Sequence, residues 1–160
     1  MRNVLTRKIL LTASAIIIPA LVLLWCWHPS YANTPTNRSA IYVAVFQKMM
    51  ARRQRLYTGL SVGNKDPTTL VMRQFAKNKG VFPQSRIKMR GGSFTDKMTG
   101  GIAEIFRVYP ETLKFHGPSM ASIDAGAHGS GKDGYEGTYS LVCVEGHWSV
   151  TGYLKKSIMF

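Results

Sequence analysis

Hydrophobic and polar positions divide this chain into three stretches of different period. From residue 9 to 27 the run is apolar but for the hydroxyls of Thr12 and Ser14, nineteen residues without a formal charge, preceded by Arg2, Arg7 and Lys8. From Ser39 apolar positions recur about every 3.6 residues, and after Pro83 about every second residue. The first pattern predicts a membrane segment or export signal, the second helices, the third strands.

Two helices are predicted. Over residues 39–57, Tyr42, Val45, Phe46, Met49, Met50, Leu56 and Tyr57 fall on one broad arc at ~100° per residue. Lys48, Arg52 and Arg55 share another face, while Arg53 projects into the apolar arc near Tyr42 and Phe46. Gly59 and Gly63 break this helix. The second is expected over residues 66–79, with Asp66 as N-cap, Pro67 in the first helical position and Gly80 as the stop. Leu70, Val71 and Phe75 form its core-facing stripe.

The alternating half predicts a mostly antiparallel sheet. Residues 86–90 alternate strictly and end at the Gly91-Gly92 turn. Residues 102–109 are apolar on both phases, as a central strand requires. Residues 113–115 and 120–123 read as short strands, and residues 126–134 as a glycine-rich loop. Tyr135, Gly137, Tyr139, Leu141 and Cys143 share one face of a strand, Glu145-Gly146 is a tight turn, and Trp148, Val150, Gly152 and Leu154 share one face of the return. Gly137 and Gly152 inside these strands predict bulges. The expected fold is α+β, with helices packed on one face of a curved sheet.

The apolar run at 9–27 is long enough to span a bilayer, and basic residues before it place the remainder across the membrane. Ser30-Tyr31-Ala32 also offers a small-x-small cleavage site before Asn33. Two readings stand: a retained anchor with the domain across the membrane, or a signal removed near Ala32 to leave an exported domain. Residues 33–37 then form a linker and residues 38–160 a single domain. With Cys26 in the apolar run, Cys143 is alone, so a disulfide within the domain is excluded; a buried, inert thiol is expected there.

Charge is unevenly spread. The chain carries a net +13, and residues 38–90 hold twelve bases against one acid, Asp66. Residues 91–160 hold six bases and seven acids. Such asymmetry points to an acidic partner for one face. The expected partners are envelope proteins, an acidic protein or lipid surface, the membrane itself through residues 9–27, and a second copy of the chain. Base-specific nucleic-acid readout is not expected, because stacking aromatics are not interleaved with the bases.

The element order, the two helices and the closing run from Tyr139 to Tyr153 resemble the nuclear transport factor 2-like (SnoaL-like) superfamily. Many of its members end in a hairpin with a Trp after the turn and a Gly-Tyr shortly beyond, as in Trp148 and Gly152-Tyr153 here. The resemblance covers about residues 38–157 and implies a cystatin-like cone. One branch of that superfamily, the bitopic inner-membrane subunits of type IV secretion and conjugation machines, has the same layout of short cytoplasmic start, one membrane helix and periplasmic cone. This implies a non-catalytic scaffold role by fold analogy.

Candidate chemistry is sparse. Gly126 to Asp133 nearly spells a phosphate-binding loop, but Asp133 stands where a hydroxyl is needed and a strand follows. The four histidines lack ligand spacing, so no metal site and no cofactor is expected. Glu104, in the apolar central strand, is the one candidate for acid–base catalysis, weighed against an outward-facing residue. Lys48, Arg52 and Arg55 are the candidate partner-binding face. Arg53, with Tyr42 and Phe46, is the candidate pocket for a small anionic ligand.

Overall fold

The computed structural model describes residues 33–129 and 134–157. The apolar run at 9–27, the cleavage site, and Lys132 and Asp133 of the glycine-rich loop lie outside the described residues. Among the described residues no helix is long and apolar enough to cross a membrane.

Helix α1 (Pro35–Met50) starts under a Thr34 cap, whose hydroxyl accepts the Asn37 amide, with Pro35 where its missing N–H costs nothing. Ile41, Tyr42, Val45, Phe46 and Met49 are its buried stripe. The helix ends seven residues short of the expected Tyr57. Arg52 and Arg53 donate back to the carbonyls of Met49 and Met50 in a tighter turn, and the chain then enters β1 (Tyr57–Val62). Gly59 is therefore a strand residue. A Cβ there would lie 2.7 Å from Ile87 Cγ1, so glycine lets the β3 segment pack close.

The second helix is only α2 (Thr69–Arg73). Its cap is Thr68, whose hydroxyl accepts the Val71 amide, while Asp66 instead accepts the Ser85 amide at 2.7 Å. From Gln74 onward the amides bond three residues back rather than four, and this tightening brings Phe75 edge-on to Phe46, centroids 6.2 Å apart. Val71 and Phe75 are buried as expected, but Leu70 is half exposed.

Strand β2 (Val81–Pro83) and a short 3-10 turn lead into β3 (Ile87–Arg90) and β4 (Ser93–Asp96), a separate two-stranded arm. The long strands β5 (Ala103–Gly117), β6 (Met120–His128), β7 (Gly134–Val144) and β8 (His147–Ser157) follow as an antiparallel meander. The six-stranded order is β2-β1-β5-β6-β7-β8, with β1 parallel to both neighbours. The fold is α+β, on a curved and mostly antiparallel sheet. Helix α1 covers one side, over Leu60, Phe106, Val108, Ile123, Tyr139 and Leu141. The β3–β4 arm covers part of the other, closing Ile87 over Ala103 and Ile105.

Irregularities bend the sheet. The expected strands at 102–109 and 113–115 are one strand, interrupted in register between Tyr109 and Lys114 where Pro110 lacks an amide. Thr112 patches the gap: its hydroxyl accepts the Asp124 amide at 2.9 Å and donates to the Tyr109 carbonyl at 2.8 Å. Strand β6 also runs five residues past the expected Ile123, so Gly126 to His128 are strand and not loop. In β8 a bulge falls between the Ser140–Gly152 and Leu141–Val150 pairs. It reverses the phase of the strand beyond, so Tyr153 faces the core and Leu154, expected inside, is 70 % exposed.

Candidate functional site

The four long strands each begin or end where α1 finishes, and most of the predicted site residues gather there. Lys48 lies exposed on the last turn of α1, and Arg52 is exposed just beyond. Because the helix stops at Met50, Arg55 does not continue their helical face; it is half-buried at the entrance to β1, and its amide donates to Glu104 Oε1 at 3.3 Å. The Arg52 guanidinium carbon sits 5.1 Å from the centre of the Tyr153 ring.

Arg53 is not brought together with Tyr42 and Phe46. Its guanidinium donates to three backbone carbonyls, of Arg55 (2.6 Å), Lys79 (3.1 Å) and Gly80 (3.4 Å). It thus ties the segment after α1 to the turn that enters β2. Phe46 is fully buried in the core. Tyr42 is buried too, and burial raises the pKa of its hydroxyl, with Arg38 opposing and Glu111 adding to the shift.

Glu104 does not face outward. It shares the helix-facing side of β5 with Phe106 and Val108 and is 5 % exposed. Its Oε1 accepts from the Thr58 hydroxyl, which is paired opposite it on β1, at 3.3 Å. Burial raises its pKa, opposed by hydrogen bonds from the Arg55 amide, Thr58 and the Gln54 amide and by the Arg53 charge.

Three tyrosines complete this end of the sheet, and sequence reasoning did not assemble them. Tyr139 and Tyr153 pair across β7 and β8 with ring centroids 4.9 Å apart, and Tyr135 meets Tyr153 edge-on at 6.3 Å. The Tyr135 and Tyr139 hydroxyls are buried without a hydrogen-bond partner among the described residues, although each is close enough to disturb the other's ionisation. Burial raises the pKa of all three phenols, Tyr139 the most, and the Arg52 charge partly offsets this at each. The alternation of Tyr135 and Tyr139 was a usable signal; Tyr153 was hidden by the β8 bulge.

Elsewhere the chemistry is thinner. His116 Nε2 and Ser122 Oγ lie 2.7 Å apart, but His116 is exposed and has no carboxylate partner among the described residues to orient it. Among the described residues no three His, Cys, Asp or Glu side chains gather where a metal ion could be held. Cys143 is half-buried against the core rather than fully enclosed. A cleft of about 430 Å³ lies between α1 and the start of β8, over Ala40, Val43, Leu70 and Trp148. No Lys, Arg, Asp or Glu lines it, and His147 is the ionisable side chain in its wall.

No family model, curated protein or solved structure matches this chain.

Proposed function

We propose that this chain is a non-catalytic binding domain held on the periplasmic side of a bacterial inner membrane, a scaffold piece of a cell-envelope assembly. Type IV secretion and conjugation machines are the leading example. One observation carries the reading. Of the twelve bases between Arg38 and Arg90, nine are exposed, while the acid of that stretch, Asp66, is tied to the Ser85 amide. Arg86 is neutralised by Asp96. The exposed remainder gives the molecule a positive field that concentrates and orients acidic partners, with a strength that falls as salt rises. A helix across an antiparallel meander is also what the nuclear transport factor 2-like resemblance implies, and it supports the cone-shaped scaffold of that layout.

The test uses Lys48 and Arg52, which are both exposed, although Arg52 also lies over the Tyr153 ring. Reversing both to Glu is expected to leave the circular dichroism spectrum unchanged and to remove the chain from high-mass complexes on native gels of detergent-solubilised envelopes. Complexes that persist with both charges reversed would contradict the reading.

A second reading, an exported domain binding a small anionic ligand, is favoured by the buried unpartnered hydroxyls of Tyr135 and Tyr139 beside Arg52. Arg52 replaces Arg53 as its anchor, since Arg53 is committed to backbone carbonyls. Titration calorimetry with inorganic phosphate and small carboxylates tests it. Binding weakened by Arg52→Gln supports this reading, and the absence of heat in the parent chain ends it. A SnoaL-like enzyme would need Glu104→Gln to abolish turnover.

A further inference from the structure

The tip of the sheet carries a second surface, built from side chains other than Lys48 and Arg52. Leu56 and Ile102 immediately precede the parallel pair Tyr57–Ala103, so they stand side by side at the mouths of β1 and β5. They are 68 % and 54 % exposed. Met98 projects from the tight turn closed by the Gly100 amide on the Asp96 carbonyl and is 78 % exposed. Large apolar side chains this open, clustered at one end, mark an interaction surface.

Bases interleave with them. Lys88 pairs with Thr95, and Thr95 bridges to Ile102, so Lys88, Thr95 and Ile102 form one row across the arm on one face. Arg90 follows on that face two residues along β3. Lys97 adjoins Met98. Lys79 adjoins Gly80, which packs directly on the Leu56 carbonyl. All four bases are exposed. Among the described residues at the mouths of β1 and β5 and on the arm, the acids Asp96 and Glu104 are both buried and internally bonded. Among the described residues this surface is therefore basic, and its apolar side chains stand out from turns and strand ends rather than line a concavity. A folded partner needs a matching hollow for such projections. A lipid headgroup layer does not: apolar tips sink into it while lysines and arginines meet its phosphates.

We propose that this tip, Leu56, Met98 and Ile102 ringed by Lys79, Lys88, Arg90 and Lys97, docks on an anionic membrane surface. Strand directions place it at the end of the sheet opposite the β7–β8 turn and away from the start of α1, where the N-terminal segment joins. The tip would thus give the domain a membrane contact separate from residues 9–27. The proposal needs the chain to meet a membrane, as the proposed function holds. The assay supplies that membrane, so a wrong localisation and a wrong docking surface give different results.

The full chain, with Cys26→Ser and Cys143→Ser, is made cell-free into liposomes, and a polarity-sensitive dye is attached through Met98→Cys or, as a control at the opposite end, Ser149→Cys. Liposomes are phosphatidylcholine alone or mixed with phosphatidylglycerol. Emission from position 98 should shift to the blue with phosphatidylglycerol, return with high salt, and stay unshifted at position 149. Lys88→Gln with Arg90→Gln, both exposed and outside the core, should weaken the phosphatidylglycerol dependence about 25-fold, at roughly fivefold per base. No lipid-dependent shift at position 98, an equal shift at both positions, or a shift that survives neutralisation would overturn the proposal. So would a response to polyglutamate without one to phosphatidylglycerol, which would assign the tip to an acidic protein.

Discussion

Two buried carboxylates give the molecule opposite pH responses. Asp96 is fully enclosed and accepts from Arg86 Nε (2.6 Å) and Nη2 (3.2 Å) and from the Thr99 amide and hydroxyl. The Arg86 bonds hold its pKa far below the usual carboxylate range. Its contribution is therefore present above the unfolded value of ~3.9 and lost as pH falls toward the folded one. Arg86→Gln should lower the urea midpoint at neutral pH and flatten its fall on acidification. Glu104 has the reverse sign. Its raised pKa means that the folded state holds the proton more tightly, so stability is lost as pH rises above ~4.3. Glu104→Gln keeps an acceptor for Thr58 and removes the buried charge. Its urea midpoint should gain on the parent as pH rises through the carboxylate range, with the difference gone below it; a constant offset at all pH would show that Glu104 is not so perturbed. The sequence shows an acid in an apolar strand but not which way it points. That is decided by Thr58, forty-six residues earlier and paired opposite it.

At the scale of elements, the β7–β8 hairpin shows what local pattern specifies well. Alternation locates both strands, and Glu145-Gly146 marks the turn. Both turn residues have positive φ, 51° and 79°, in a two-residue loop between the paired Val144 and His147. That is the type I′ geometry, which favours Asn-Gly. Glu145→Asn should raise stability by up to about 1 kcal/mol, relieving the left-handed strain on a glutamate; a lower thermal midpoint would contradict the assigned turn. Strand β1 shows the opposite. Leu56 and Tyr57 fit the helical period by coincidence, and only pairing with β2 and β5 makes Tyr57–Val62 a strand. Likewise Asp66 and Pro67 look like a helix start, but the Asp66 carboxylate is drawn to Ser85 and the cap passes to Thr68. Bulges act in the same way: the extra residue in β8 moves Tyr153 in and Leu154 out, which strict alternation cannot show.

For the whole molecule, the coarse α+β plan was legible because α1 and the meander each follow their own period over many residues. The core packing of α1 should be correspondingly indispensable: Phe46→Ala, which empties a fully buried site against Phe75, is expected to cost about 3–5 kcal/mol in urea unfolding. The candidate site was legible only in its charges. Lys48 and Arg52 are exposed as their helical spacing suggested, yet the tyrosine cluster and the loss of Arg53 to backbone carbonyls depend on contacts between distant segments. The basic character of the sequence survives folding because most bases stay outside while Asp96, Glu104 and Asp124 are buried.

The central claim, that this basic domain is held at a membrane as part of an envelope assembly, is tested most directly by the intact mass of the chain in separated membrane and soluble envelope fractions. The account predicts the full-length species in the membrane fraction. A species beginning at Asn33 in the soluble fraction would contradict the anchored scaffold and move the small-ligand reading ahead of it.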